Sequence, residues 1–142
     1  MSRSNEHPAD ARASFPIDET LRQAVLQHLL DLEAADPAFL ADLIESYLTT
    51  TPELIAALEQ ALARQDTEAL HAGAHSLKSS TQLIGLSRMS RLCLTLEQDA
   101  RKGFYTPDLD HYVSMIAREY ARAAATLTAL MHTLRHGGIA ST

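Results

Sequence analysis

Cysteine is nearly absent from this sequence. Cys93 stands alone among 142 residues, so no internal disulfide forms, and no Cys-x-x-Cys spacing suggests a zinc site. Long apolar runs are missing too. No stretch approaches the roughly 18 apolar residues of a membrane span, and the polar N-terminus has no apolar signal region. A cytoplasmic protein that makes no membrane contact is expected. Positive charge is not in excess: 12 Lys and Arg face 18 Asp and Glu, a formal net charge of −6. That balance speaks against nonspecific attraction to nucleic acid or anionic lipid. No segment alternates polar and apolar residues for long enough to read as a strand. No internal repeat or low-complexity tract is present. Neither a Walker-type GxxxxGK(S/T) stretch nor a kinase-like Gly-rich loop occurs, which argues against an autonomous kinase.

What remains is helical pattern. Apolar residues make up 46% of the chain, ordinary for a globular protein, and one domain of this length buries a real core. Residues 1–16 lack a usable period and read as a flexible leader. A first helix is expected within Ile17 to Leu32, carried by Leu21, Val25, Leu29 and Leu32. Asp36-Pro37 then opens a second, Asp as cap and Pro in the first turn, with a stripe of Phe39, Leu40, Leu43, Ile44, Tyr47 and Leu48. Thr51-Pro52 interrupts that stripe before Leu54, Ile55, Leu58 and Leu62 resume it. Either one helix bends at Pro52 or a new one starts there with Thr51 as its cap.

Further along, Ser87 is placed as the cap of a helix bearing Met89, Leu92, Cys93, Leu96 and Ala100, with Gly103 as terminator. On that stripe Cys93 reads as a small buried residue. Thr106-Pro107 repeats the cap-then-proline signal. Val113, Ile116, Ala117, Tyr120, Ala124, Leu127 and Met131 form the longest stripe, in a helix expected to reach Leu134. The short connections favour antiparallel neighbours. The fold expected is all-α: an antiparallel four-helix bundle with an additional N-terminal helix, spanning 17–135, followed by a short tail at 136–142.

The most informative stretch is DTEALHAGAHSLKSSTQLIG, Asp66 to Gly85. Asp66 can cap a helix and Gly85 can end it. At about 100° per residue, Leu70, Ala74, Leu77, Thr81 and Ile84 share one face, while His75, Lys78, Ser79 and Gln82 share the other. A neutral imidazole nitrogen is a competent nucleophile. The ammonium of Lys78, one turn on, favours a phosphoryl group after transfer and disfavours imidazolium, leaving more free base. Ser79 is small enough to leave room for a phosphoimidazole. Metal binding is the weaker reading. His71 and His75 are four apart, and Glu68 to His71 makes one Glu-x-x-His, but a di-iron bundle needs two such motifs and two more inward glutamates. No bound metal or other cofactor is expected. His28, His111 and His132 read as surface or boundary residues, and His7 lies in the leader. Arg88, Arg91, Arg101 and Lys102 are either a docking rim or, better supported residue by residue, a solvated helix face.

AHSLKSSTQLIG (Ala74 to Gly85) followed by LSRMSRLCLTLE (Leu86 to Glu97) resembles the histidine-containing phosphotransfer domains of bacterial multistep phosphorelays. FLADLIESYLTTTPELIAALEQAL (Phe39 to Leu62) resembles that family's preceding helices, and the likeness runs from about Leu21 to Leu134. The family's core is His-x-x-Lys-Gly, with a later Gly before the next helix. The resemblance implies that His75 is the phosphorylated histidine, reacting through its outer ring nitrogen. It further implies that Lys78 neutralises the phosphoryl charge and that Gly85 closes the helix. Ser79 stands where the family has glycine; its hydroxyl either holds a phosphoryl oxygen or crowds the incoming partner. Gln82 is a candidate docking residue.

The resemblance implies partners as well: response-regulator receiver domains that supply and take the phosphoryl group, with Mg2+ on the receiver and not on this chain, and a hybrid sensor histidine kinase upstream. A monomer is expected. The rival is an interaction module that docks on a receiver or kinase without accepting phosphate.

Overall fold

The computed structural model describes residues 15–32 and 36–137. Five helices follow one another: α1 (Glu19–Leu30), α2 (Pro37–Ala63), α3 (Thr67–Ile84), α4 (Ser87–Ala100) and α5 (Pro107–His136). No strand occurs among the described residues, and no helix there is long and apolar enough to cross a membrane. α2 packs on α3 and α5, and α4 packs on the same two, so α2 to α5 close a four-membered ring. α1 lies outside it against α5, with a lighter contact to α3. Its start is tied down where Asp18 N–H donates to Thr126 Oγ1 at 2.9 Å. The leader expected at 1–16 lies outside the described residues except for Phe15 and Pro16, which line a cavity with Leu21, Leu86, Met89 and Ala123.

The helical stripes become the core. Leu40, Ile44 and Leu58 of α2, Leu70, Leu77 and Ile84 of α3, Met89 and Leu96 of α4, and Ile116 and Leu127 of α5 are fully buried together. Phe39 was placed on the α2 stripe, yet it is exposed at the first turn. Cys93 is buried as a free thiol, and burial pushes its pKa up to about 12 against an opposing pull from Lys78.

The ambiguity at Pro52 resolves in favour of one helix: α2 runs through it. Proline offers no N–H, so the carbonyl of Leu48, four residues back, loses its helical donor. The Tyr120 hydroxyl of α5 donates to that carbonyl at 3.2 Å. A neighbouring helix thus supplies what the sequence removes, which is why the interruption does not become a break.

Several boundaries move. α1 starts at Glu19, not Ile17, because Asp18 is its cap and accepts from Leu21 N–H at 3.0 Å. Ser87 is the first residue of α4 and not its cap; Leu86 holds the cap position and makes no side-chain bond. Asp36 and Thr106 occupy cap positions without side-chain capping bonds, each followed by its proline. Gly103 does not end α4, which stops at Ala100; it sits in the following turn with φ +90°. α5 runs two residues past Leu134 to His136, with Gly137 as its cap.

Both ends of α3 are firmly set. Asp66 Oδ1 accepts from Ala69 N–H at 3.0 Å. Before it, Gln65 adopts φ +54°, with Asp66 N–H bonded to Ala61 O and Gln65 N–H to Leu62 O. This is a Schellman turn closing α2, built on a residue other than the usual glycine. The same pair of bonds recurs after α3, from Leu86 N–H to Thr81 O and from Gly85 N–H to Gln82 O. Gly85 is needed there twice over. Its φ is +91°, and a Cβ would fall 2.6 Å from Cγ of His28. The His28 ring has closed in because its Nε2 donates to the Leu83 carbonyl at 3.1 Å, one of the acceptors that the end of a helix leaves unpaired. His28 therefore pins α1 to the end of α3.

Candidate functional site

The predicted phase of α3 is the observed one. Leu70, Ala74, Leu77, Thr81 and Ile84 are its buried residues, and the hydroxyls of Thr81 and Tyr47 share a hydrogen bond of 2.9 Å beneath it. Burial raises the Tyr47 pKa, so that phenol stays a neutral partner. The opposite face carries His75, whose side chain is 61% exposed.

α3 and α4 form a hairpin about the Gly85 turn. His75 lies as far before Leu86 as Glu97 lies after it, and equal helical rise sets such positions at one height. Glu97 Oε2 stands 2.8 Å from His75 Nδ1. Its Oε1 is 2.7 Å from Lys78 Nζ, an ion pair in which both side chains are largely covered, at 19% and 13% exposure. The backbone carbonyl of Glu97 also accepts from His71 Nδ1 at 3.1 Å. One residue of α4 thus gathers three residues of α3. The Lys78 ammonium, and after it the His75 ring, hold the Glu97 carboxyl below the usual carboxylate range.

Glu97 had no assigned role in the sequence reading. Its signal was present: an acid beside the Cys93, Leu96 and Ala100 stripe, at the mirror position of His75 across the turn. Lys78, placed on the outward face, is more covered than that phase implies because its ammonium turns to Glu97. Ser79 is exposed, and its Oγ donates back to the His75 carbonyl at 3.3 Å, a bond common for serine inside helices. Gln82 does not join the group. It is exposed and lines a cleft of about 300 Å³ with His28, Ser90 and Arg91. On the basic face, Arg88 pairs with Glu119 at 3.5 Å and Lys102 with Asp99 at 2.9 Å. No group of three or more His, Cys, Asp or Glu among the described residues is placed to hold a metal.

The chemistry follows from donors and acceptors. An ionised carboxylate only accepts, so His75 Nδ1 carries the proton of that hydrogen bond. In the neutral ring the lone pair then lies on Nε2, the edge turned away from Glu97. A nucleophilic nitrogen on an open helix face suits a reaction whose other half arrives on a macromolecule.

Residues 42–137 match the family model described as Hpt domain. No curated protein and no solved structure matches the chain in the same comparisons.

Proposed function

The chain belongs to the Hpt domain family of histidine phosphotransfer in phosphorelays, and we propose that His75 is its phosphoryl acceptor. On this reading Nε2 attacks the phosphorus of a receiver's phosphoaspartate. The new N–P bond forms as the P–O bond breaks, and its electron pair leaves with the aspartate. A second receiver aspartate takes the group back by the reverse step. One observation carries the proposal: Glu97 occupies Nδ1 and leaves Nε2 bare on a ring that is 61% exposed. The chain supplies position and modest electrostatics, the usual contribution in phosphoryl transfer. We place Mg2+ on the receiver, and a hybrid sensor kinase upstream.

The test is a panel of receiver domains carrying labelled phosphoaspartate. At least one is expected to pass an acid-labile, alkali-stable label to this protein. If none does while binding persists, the chain is a docking module and the proposal falls.

Ser79 offers a finer measurement. Its hydroxyl is turned to the His75 carbonyl, so holding a phosphoryl oxygen requires a side-chain rotation. If the side chain crowds the receiver, S79G speeds single-turnover transfer. The same change places Gly inside a helix, at a cost of about 0.5–1 kcal/mol relative to Ala, so activity and stability move in opposite directions. If the hydroxyl holds the phosphoryl group, both S79G and S79A shorten the phosphohistidine half-life. Equal rates and half-lives in all three proteins remove both roles.

A further inference from the structure

We infer that His71 and His75 form a two-histidine site for a borderline divalent cation such as Zn2+, and that the cation competes with the phosphoryl group for His75. The two residues stand one turn apart on α3, and side chains at that spacing are neighbours, with Cβ atoms about 5–6 Å apart. Histidines four apart on one helix face are a recurring zinc-binding pair. Spacing alone does not make a site; the ring nitrogens add to it. A metal takes the bare nitrogen of a neutral imidazole, and a ligating histidine almost always donates its other N–H to a carboxylate or a backbone carbonyl. Glu97 supplies one acceptor of each kind. His75 Nδ1 lies 2.8 Å from its carboxylate, and His71 Nδ1 lies 3.1 Å from its carbonyl oxygen. Both acceptors lack a proton, so both Nδ1 atoms carry one. The lone pairs then lie on the two Nε2 atoms, and among the described residues no hydrogen bond engages either.

The donor set decides which cations fit. Imidazole nitrogen suits Zn2+, Cu2+ and Ni2+, whereas Mg2+ and Ca2+ take oxygen ligands. Mg2+ placed on the receiver therefore does not fill this site. Two protein ligands are fewer than the four of a structural zinc site or the three of a catalytic one, and no third His, Cys, Asp or Glu among the described residues joins them. Water completes the shell, and occupancy follows the free cation concentration. A second pair with the same spacing offers a contrast. His132 and His136 stack with ring centroids 6.1 Å apart at the end of α5. Among the described residues nothing holds their nitrogens, so binding there must first order both rings, which lowers affinity. The cation site does not depend on His75 accepting phosphate, but the competition does. A metal on Nε2 occupies the lone pair that would attack phosphorus, and a completed N–P bond leaves no lone pair for metal.

The experiment titrates Zn2+, and separately Mg2+, into wild type, H71Q and H132Q/H136Q by calorimetry, after circular dichroism shows equal helix content. One Zn2+ per chain is expected at this site in wild type and H132Q/H136Q, with no binding of Mg2+. Loss of a partner behind a ligand already costs roughly 10–100-fold in affinity, so loss of the ligand itself in H71Q costs at least that. Ring 15N shifts of wild type are expected to move at Nε2 of both His71 and His75. Unmoved Nε2 shifts at His71, undiminished affinity in H71Q, or binding lost only in H132Q/H136Q overturns the site. The shifts need no variant, so the inference stays exposed even if H71Q fails to fold. Each protein is then labelled with phosphoramidate, a donor that needs no receiver, with and without Zn2+. At ten times its Kd the cation is expected to slow labelling of wild type about tenfold, and at the same concentration to have little effect on H71Q. Equal slowing in both proteins, or none in wild type, overturns the competition. Absence of label without Zn2+ strikes the acceptor reading alone, since the titration judges the site by itself.

Discussion

Replacing His75 with glutamine is expected to abolish phosphorylation from any receiver and leave the helix content unchanged. The loss is complete because an amide nitrogen has no basic lone pair to offer phosphorus. The fold survives because the side chain lies outside the α3 core stripe and is 61% exposed. What stability is lost comes from the contact between the exposed His75 ring and the largely covered Glu97 carboxylate. Autoradiography of wild type and H75Q after incubation with a labelled receiver checks the first half, and circular dichroism the second. The most instructive failure is residual label in H75Q. His71 lies one turn away and also has its Nδ1 engaged by Glu97, which leaves its Nε2 as the alternative nucleophile. Label that disappears only in the double variant H71Q/H75Q assigns part of the acceptance to His71.

Truncating Leu77 to alanine is expected to cost about 2–5 kcal/mol, the range for buried leucines. Leu77 is fully inaccessible, and α3 packs on both α2 and α4. Against a typical domain stability of about 5–15 kcal/mol this is a large fraction, visible as a lower urea midpoint without a changed slope. A loss well under that range would mean that Leu77 does not carry the core, and that α3 is rotated from the phase that exposes His75. The rotation argument joins the two predictions: the same 3.6-residue geometry that buries Leu77 turns His75 outward.

That geometry was legible beforehand because it is local. Four apolar positions and Thr81 recur at helical spacing between Asp66 and Gly85, and this stripe sets the direction of the residues between them. The helix ends were legible where a single residue carries the signal, as with Asp66 and Gly85. They were misread where the cap position holds a residue with no capping side chain, as at Leu86, and missed where Gln65 takes a left-handed conformation in place of glycine. His28 looked like a boundary residue because its partner, the Leu83 carbonyl, is a backbone atom more than fifty positions away, and backbone acceptors leave no mark in a pattern of side chains.

Periodicity, caps and short connections were thus enough to establish the helical bundle and the face on which His75 sits, while the resemblance singled out His75 as a candidate nucleophile. The state of that nucleophile needed the folded chain. Which imidazole nitrogen carries a proton depends on Glu97, twenty-two residues away along the chain and 2.8 Å away in space. The continuity of α2 through Pro52 likewise depends on a hydroxyl from α5. Helical phase is set by neighbours within a turn or two, whereas tautomer, ion pairing and the satisfaction of an orphaned carbonyl are set by atoms that only packing brings together.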